Sequence, residues 1–331
     1  MVISRTPFRL SFFGGGTDYP AWYLKEGGAV LSTTMDKYCY ISVRQLPPFF
    51  SVKHRIVWSH IELVSSYKEI LHPAIKEGLP FMGFDDSFGM EIHHQGDLPA
   101  RSGVGSSSSF AVGLVKALSA LKGKMLGTHE LALKAIELEQ EKLKDPVGCQ
   151  DQVAAAYGGL NVIKFFPSGG IRVEPVTVSS ERLNALNDRL LLFFTGASRL
   201  GAQVAADVIA QMDKKVAMLK RMREMVDEAV HILCSDTDLD VFGNLLHESW
   251  KLKRELSTMV SNNTVDSIYE GARSAGALGG KLMGAGGSGF MFFYVPPEKQ
   301  AAVREAMKHF LEVPFRFESE GSTIIHYQPN Q

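Results

Sequence analysis

Cysteine is scarce in this 331-residue chain: Cys39, Cys149 and Cys234 are the only three. Their odd number and wide spacing, with no CxxC pair, exclude a disulfide framework and a zinc knuckle and point to a reducing compartment. Nowhere does an apolar run approach the ~20 residues of a membrane span. Arg5, Pro7 and Arg9 interrupt the N-terminal stretch MVISRTPFRLSFFGGG, where a signal peptide needs an unbroken apolar segment. A cytoplasmic protein with no membrane partner is therefore expected. Surplus charge is missing too. The 35 Lys and Arg nearly balance the 36 Asp and Glu, leaving a formal net charge of −1, so no basic surface for nucleic acid is expected. No G-x-x-x-x-G-K-[ST] occurs anywhere, which rules out a Walker-type loop.

What is present is the composition of a globular protein, 45% hydrophobic and 21% charged. The length exceeds one typical core and predicts two domains. Residues 1–60 read as strands, since AVLSTTMDKYCYISVRQL is rich in β-branched and aromatic residues without a helical stripe. Helical patterns follow in FAVGLVKALSALKG and HELALKAIELEQEKLK, and GGLNVIKFF with GIRVEPVTV reads as a hairpin. The composition shifts at SSERLNALND, which places a domain boundary after residue 183. Beyond it come a buried strand, LLLFFTG, and a long amphipathic helix, expected to pack on its own domain. The tail alternates helix, glycine loop, the strand FMFFYV, a helix, and two strands, FRFES and TIIHY.

Three segments are rich in glycine. GGGTDYP follows an apolar run, and bare backbone there could either cradle a phosphate or make room for another ligand. GAGGSG (284–289) matches G-x-G-x-x-G, but it precedes a strand, so no helix N-terminus is available to a dinucleotide. LPARSGVGSSSSF (98–110) suits phosphate best. Its two glycines allow close backbone approach, four serines supply hydroxyls, and a helix start adds free N–H groups and its dipole. A serine-rich helix cap is the plainer alternative, but one serine would suffice for that.

A nucleoside triphosphate on such a loop implies Mg²⁺ with oxygen ligands. At 100° per residue, Leu131, Ala132, Ala135, Ile136, Leu138 and Leu143 share a helix face with Glu139 at its centre, while Glu137 and Glu141 point away. A carboxylate so placed is costly unless paired or metal-bound. Downstream, Pro146 ends the helix, Gly148 turns the chain, and Asp151 precedes VAAAYGG. Asp151 is either a helix cap or a general base.

Taken in order over nearly the whole chain, PFRLSFFGGGTDYP, LPARSGVGSSSSFA and KLMGAGGSGFMFFYV resemble the three motifs of the GHMP-type small-molecule kinases. Within that superfamily GGGTDYP, DKYCYI, SGVGSSSSF and PVGCQDQ are most similar to the bacterial D-glycero-D-manno-heptose 7-phosphate kinases. The resemblance implies a two-domain α+β fold: an N-terminal strand-and-helix domain over 1–183, a ferredoxin-like C-terminal domain over 184–331, and the active site between them. It implies ATP lying along Gly103, Val104, Gly105, Ser106, Ser107, Ser108 and Ser109, with Ser107 and Glu139 as Mg²⁺ ligands. Asp151 corresponds to the catalytic aspartate, and Arg9 to the basic residue that steadies the reacting groups. Gly15, Gly16, Thr17 and Asp18 would form the sugar loop, with Gly286 and Gly287 also on the substrate side. There the glycines would leave room for a bulky sugar and Asp18 would accept hydrogen bonds from its hydroxyls. Gly15 and Gly16 stand where the galactokinase branch carries Glu and His, so sugar contacts do not transfer from that branch.

The implied partner is a small-molecule sugar phosphate, phosphorylated at its anomeric hydroxyl. A different sugar, of the L-fucose type, and a non-catalytic sugar-binding regulator are the alternatives. A distal phosphate needs cations, and arginine suits it because its planar fork meets phosphate oxygens in pairs. Arg199 in TGASRLG leads the candidates, because it sits in a small-residue loop leaving a core strand. Arg101 and the cluster 53–55 follow.

Overall fold

The computed structural model describes residues 1–196 and 201–329. Two long strands, Val2–Phe13 and Gly28–Gln45, pair antiparallel and form the spine of a nine-stranded sheet. Both are buried along most of their length, because helices from both halves of the chain pack on them. Ser106–Leu121 comes from the first half and Val216–Cys234 from the second. This double cover explains why these strands lack the clean alternation of a one-sided sheet. Along the sheet the order is Thr323–Tyr327, Val2–Phe13, Gly28–Gln45, Met90–Gly96, His54–Val57 and Ile61–Val64. The expected hairpin forms between Asn161–Phe165 and Ile171–Pro175 and joins Gly28–Ser32 of the spine.

Leu190–Phe194 opens a second sheet of four antiparallel strands. Leu311–Glu312, Leu190–Phe194, Phe290–Tyr294 and Gly279–Leu282 lie side by side in that order. With helices between the first and second strands of the chain order and between the third and fourth, this is the β-α-β-β-α-β arrangement of ferredoxin-like domains. The fold is the two-domain α+β architecture that the motifs implied.

Several local features differ from the sequence reading. A short helix, Pro20–Glu26, interrupts the strand-rich first segment. The helix expected through Lys144 is α-helical only over Thr128–Glu137 and then widens into a π-helical turn over Leu138–Lys142. The third glycine segment is a hairpin loop, because the glycine-rich Gly279–Leu282 before it is itself a strand. The amphipathic helix Val216–Cys234 packs on Asp240–Glu255 and on both spine strands of the first sheet, so it joins the domains. The tail does so as well: Phe317–Glu318 and Thr323–Tyr327 pair with Gly28–Gln45 and Val2–Phe13.

Candidate active site

The second and third glycine segments meet backbone to backbone at the domain junction. Gly103 has φ 86°, and a Cβ there would lie 2.6 Å from the carbonyl oxygen of Met283. A Cβ on Gly284 would lie 2.7 Å from the Gly103 Cα, and Phe290 N donates to Ser102 O at 2.9 Å. Only glycine permits this closure. The helix Ser106–Leu121 then starts from Gly105, at φ 73°, with no side chain capping its first N–H groups. A helix start of this kind offers its donors to an anion.

The four serines are not equivalent. Ser109 Oγ donates to Pro7 O at 3.0 Å, and Ser106 Oγ accepts from Arg101 N at 3.1 Å. Ser108 is buried, Ser106 half-buried and Ser107 exposed. Val104 is also buried, its carbonyl accepting the Arg9 N–H at 3.2 Å. The loop's serine richness therefore serves the fold as much as a ligand.

Arg9 and Asp151 converge beneath this loop. Arg9 Nε donates to Asp151 Oδ1 at 2.7 Å and Nη2 to Oδ2 at 2.8 Å, while Nη1 reaches Gly103 O. The Cβ that Gly105 lacks would sit 3.1 Å from Arg9 Cγ and 3.2 Å from Asp151 Oδ2. Arg9 is buried, but the Asp151 side chain stays 22% exposed and so remains within reach of a ligand. Asp151 lies inside the first turn of the helix Gln150–Tyr157, whose cap position is Cys149, with no side-chain cap bond. The helix-cap reading of Asp151 is therefore set aside.

Glu139 lies in the π-helical turn and is 1% exposed, whereas Glu137 pairs with Lys142 at the surface. Its Oε2 accepts from Gln152 Nε2 at 2.6 Å, but its Oε1 is buried without a hydrogen-bond partner. Burial pushes its pKa up to about 7, against the opposing pull of the nearby Ser108, Gln152 and Ser107 side chains. An orphaned carboxylate oxygen beside the exposed Ser107 fits a hard cation. No group of three or more His, Cys, Asp or Glu suited to a metal occurs among the described residues. A cation here would complete its shell with phosphate oxygens and water, which is the habit of Mg²⁺.

The first glycine loop is built differently from the expectation. Gly14, at φ 81°, would place a Cβ 1.9 Å from Ala29 O, and Gly16, at φ 100°, would place one 3.2 Å from Leu219 Cδ2. These glycines let the loop close against protein and leave no space for a sugar. Thr17 is buried, its hydroxyl donating to Gly14 O at 2.8 Å. Asp18 is 1% exposed, and its oxygens accept from Gly16 N at 3.1 Å and Gln150 N at 3.3 Å. It fills the place of a Cβ on Gly148, so Asp18 staples two loops with its carboxylate buried. Burial, with Asp151 nearby, pushes its pKa up to about 6. Only Gly15 opens outward, towards Gln150.

Other expected residues fall elsewhere. Gly286 packs on the Val260 backbone, and Gly287 N donates to Val260 O at 3.0 Å. Gly287 also lines a pocket of about 690 Å³ with Thr258, Ser261 and Asn262. In the 53–55 cluster, His54 is buried against Asp86, Arg55 pairs with Glu91, and Lys53 is exposed. Arg199 lies outside the described residues.

Two lysines escaped the sequence reading. Lys281 is 3% exposed, its Nζ donating to Phe12 O at 3.1 Å, and burial pushes its pKa down to about 7. Lys253 Nζ donates to Leu282 O at 2.8 Å and Gly284 O at 2.6 Å, anchoring the third glycine loop. Desolvation, then repulsion from Lys281 and Arg9, pushes its pKa well down. The only sequence signal for Lys281 was a lysine amid the small and apolar residues of GGKLM.

A glycine-lined helix start meets an arginine-held carboxylate where the two domains join, an arrangement suited to phosphoryl transfer. The chain belongs to the GHMP kinase family: the family's N terminal domain matches residues 67–159 and its C terminal domain residues 225–313. It is a sugar kinase, a phosphotransferase that takes ATP as donor and an alcohol group as acceptor. Among its relatives, the D-glycero-alpha-D-manno-heptose 7-phosphate kinase of Campylobacter jejuni is 30% identical over 93% of either chain. The bifunctional fucokinase/GDP-fucose pyrophosphorylase of Arabidopsis thaliana is 28% identical over 92% of this chain, which spans 31% of that longer protein. A solved D-glycero-D-manno-heptose 1-phosphate kinase from Bacteroides thetaiotaomicron superposes with a TM-score of 0.79, covering 98% of this chain and 99% of that one. Its 23% identity makes that likeness one of fold. Among the described residues no helix is long and apolar enough to cross a membrane.

Proposed function

We propose that the protein phosphorylates the anomeric hydroxyl of D-glycero-D-manno-heptose 7-phosphate, giving the 1,7-bisphosphate used for surface-polysaccharide heptose. The observation that carries the transfer chemistry is the Arg9–Asp151 pair set directly beneath Gly105. The Campylobacter jejuni relative, matched along 93% of both chains, supports the choice of sugar.

In this reading Asp151 accepts the proton of the anomeric hydroxyl as that oxygen bonds to the γ-phosphorus. The bond from phosphorus to the bridging oxygen breaks, and ADP leaves with the electron pair. Arg9 holds the carboxylate in one orientation by both of its oxygens. The free N–H groups at Gly105 and the helix start receive the phosphates. A magnesium ion on Ser107 and Glu139 would supply further neutralisation of phosphate charge. Arg199 would meet the distal phosphate of the sugar.

A coupled ADP-release assay tests this with three acceptors: the heptose 7-phosphate, the unphosphorylated heptose and L-fucose. Strong preference for the first is expected. Equal turnover of the unphosphorylated heptose, or preference for L-fucose, would replace this reading with a broader or a fucose-type sugar 1-kinase.

A further inference from the structure

The residue before Asp151 carries an amide that the transfer chemistry leaves unused. Gln150 Oε1 accepts from Ser11 Oγ at 2.8 Å, and its backbone N–H is held by Asp18 Oδ2 at 3.3 Å. Main chain and carbonyl end are thereby fixed, and the only free end is Nε2. That nitrogen has no hydrogen-bond partner among the described residues and lies 3.8 Å from where a Cβ on Gly15 would be. Among the described residues, the chain neighbours of Gly15 aside, no other atom comes within 4 Å of that missing Cβ. Among the described residues, Gly15 is thus the one glycine of the first loop that opens into free space, and the unpaired amide borders the same space.

This space borders Gln150, the residue that precedes Asp151 in the helix Gln150–Tyr157. Gly105 approaches Oδ2 of Asp151 directly, whereas Gln150 turns towards Gly15 and Ser11 of the first motif. A donor amide held by Ser11 on the residue before the catalytic carboxylate is suited to an oxygen of the molecule that the carboxylate deprotonates.

We infer that Gln150 is an acceptor-recognition residue. Its Nε2 donates to an oxygen of the acceptor sugar neighbouring the reacting hydroxyl. Ser11 holds the amide in register, and the missing side chain of Gly15 keeps the space open. The inference rests on the sugar-kinase reading, and the ligand class is a polyhydroxylated sugar with an oxygen adjacent to its reacting carbon.

The test is steady-state kinetics of the full-length protein with ATP and D-glycero-D-manno-heptose 7-phosphate. Gln150→Met keeps the volume and removes both donors. It should raise KM for the sugar about tenfold, the scale of one well-placed hydrogen bond, with KM for ATP within about twofold. Gly15→Ala should act in the same direction without loss of thermal stability, since no atom of the described residues lies close enough to clash. Ser11→Ala, which frees the amide to rotate, should give a smaller rise. A sugar analogue lacking the hydroxyl next to the anomeric carbon should lose most of its disadvantage in Gln150→Met. An unchanged KM for the sugar, or an equal rise in KM for ATP, would overturn the inference. If the wild type turns over L-fucose but not the heptose phosphate, the substrate assignment fails and the same variants are read with L-fucose. If it turns over none of these sugars, both readings fall.

Discussion

Glu139→Gln separates a metal ligand from a structural carboxylate by its dependence on pH. Burial lifts the Glu139 pKa from 4.5 to about 7, so folding favours its protonated form. A carboxyl raised in this way contributes stability that is full below its unfolded value and is lost as pH rises through its folded value. The window therefore runs from about pH 4.5 to about pH 7. At pH 8 the native state must carry an almost dry charge, which at ~1.4 kcal/mol per unit amounts to about 3 kcal/mol. Glutamine has no such charge and can still accept from Gln152. In urea denaturation with chelator present, the variant should therefore exceed the wild type by up to ~3 kcal/mol at pH 8 and match it within ~1 kcal/mol at pH 5. Added Mg²⁺ with nucleotide should stabilise the wild type and leave the variant nearly unmoved. A variant destabilised equally at both pH values, or stabilised by Mg²⁺ and nucleotide as the wild type is, would refute the reasoning.

Asp151→Asn should lower kcat by on the order of 10²–10⁴ with KM for ATP little changed, as steady-state kinetics would show. Gly103→Ala forces a methyl to 2.6 Å from Met283 O at φ 86°, so it should abolish ATP binding in calorimetry and cost about 1–3 kcal/mol in denaturation. Arg199→Ala should raise KM for the phosphorylated sugar at least ~10-fold while KM for ATP barely moves. An equal effect with an unphosphorylated sugar would show that Arg199 does not read the distal phosphate.

Features that depend on local chemistry were legible in the sequence. The helix read after SGVGSSSS is present but begins at Ser106, a turn before its apolar period, and LLLFF and FMFFY form the expected buried strands. Counting 100° per residue put Glu139 on the inward face, and it stays there because the π-helical turn starts only at Leu138. What could not be read depends on partners distant in the chain. Gly279–Leu282 is a strand because Phe290–Tyr294 supplies its hydrogen bonds, although its own composition argues for a loop. Thr323–Tyr327 reads as a strand from its sequence, but nothing in it says that it pairs with Val2–Arg5.

Asp18 and Asp151 show what separates a motif from a site. Both are acidic residues that follow glycine-bearing turns, and the two lie close enough for their charges to interact. Asp18 accepts from two backbone N–H groups and is sealed at 1% exposed, so its oxygens hold the loops in place. Asp151 is held by a guanidinium that leaves its side chain 22% exposed beside the phosphate loop. Backbone donors fix the main chain around a carboxylate, whereas an arginine fork fixes the carboxylate and leaves an edge for a reactant. The identity of the donor therefore decides which aspartate is free for chemistry, and both donor sets are assembled only by tertiary contact.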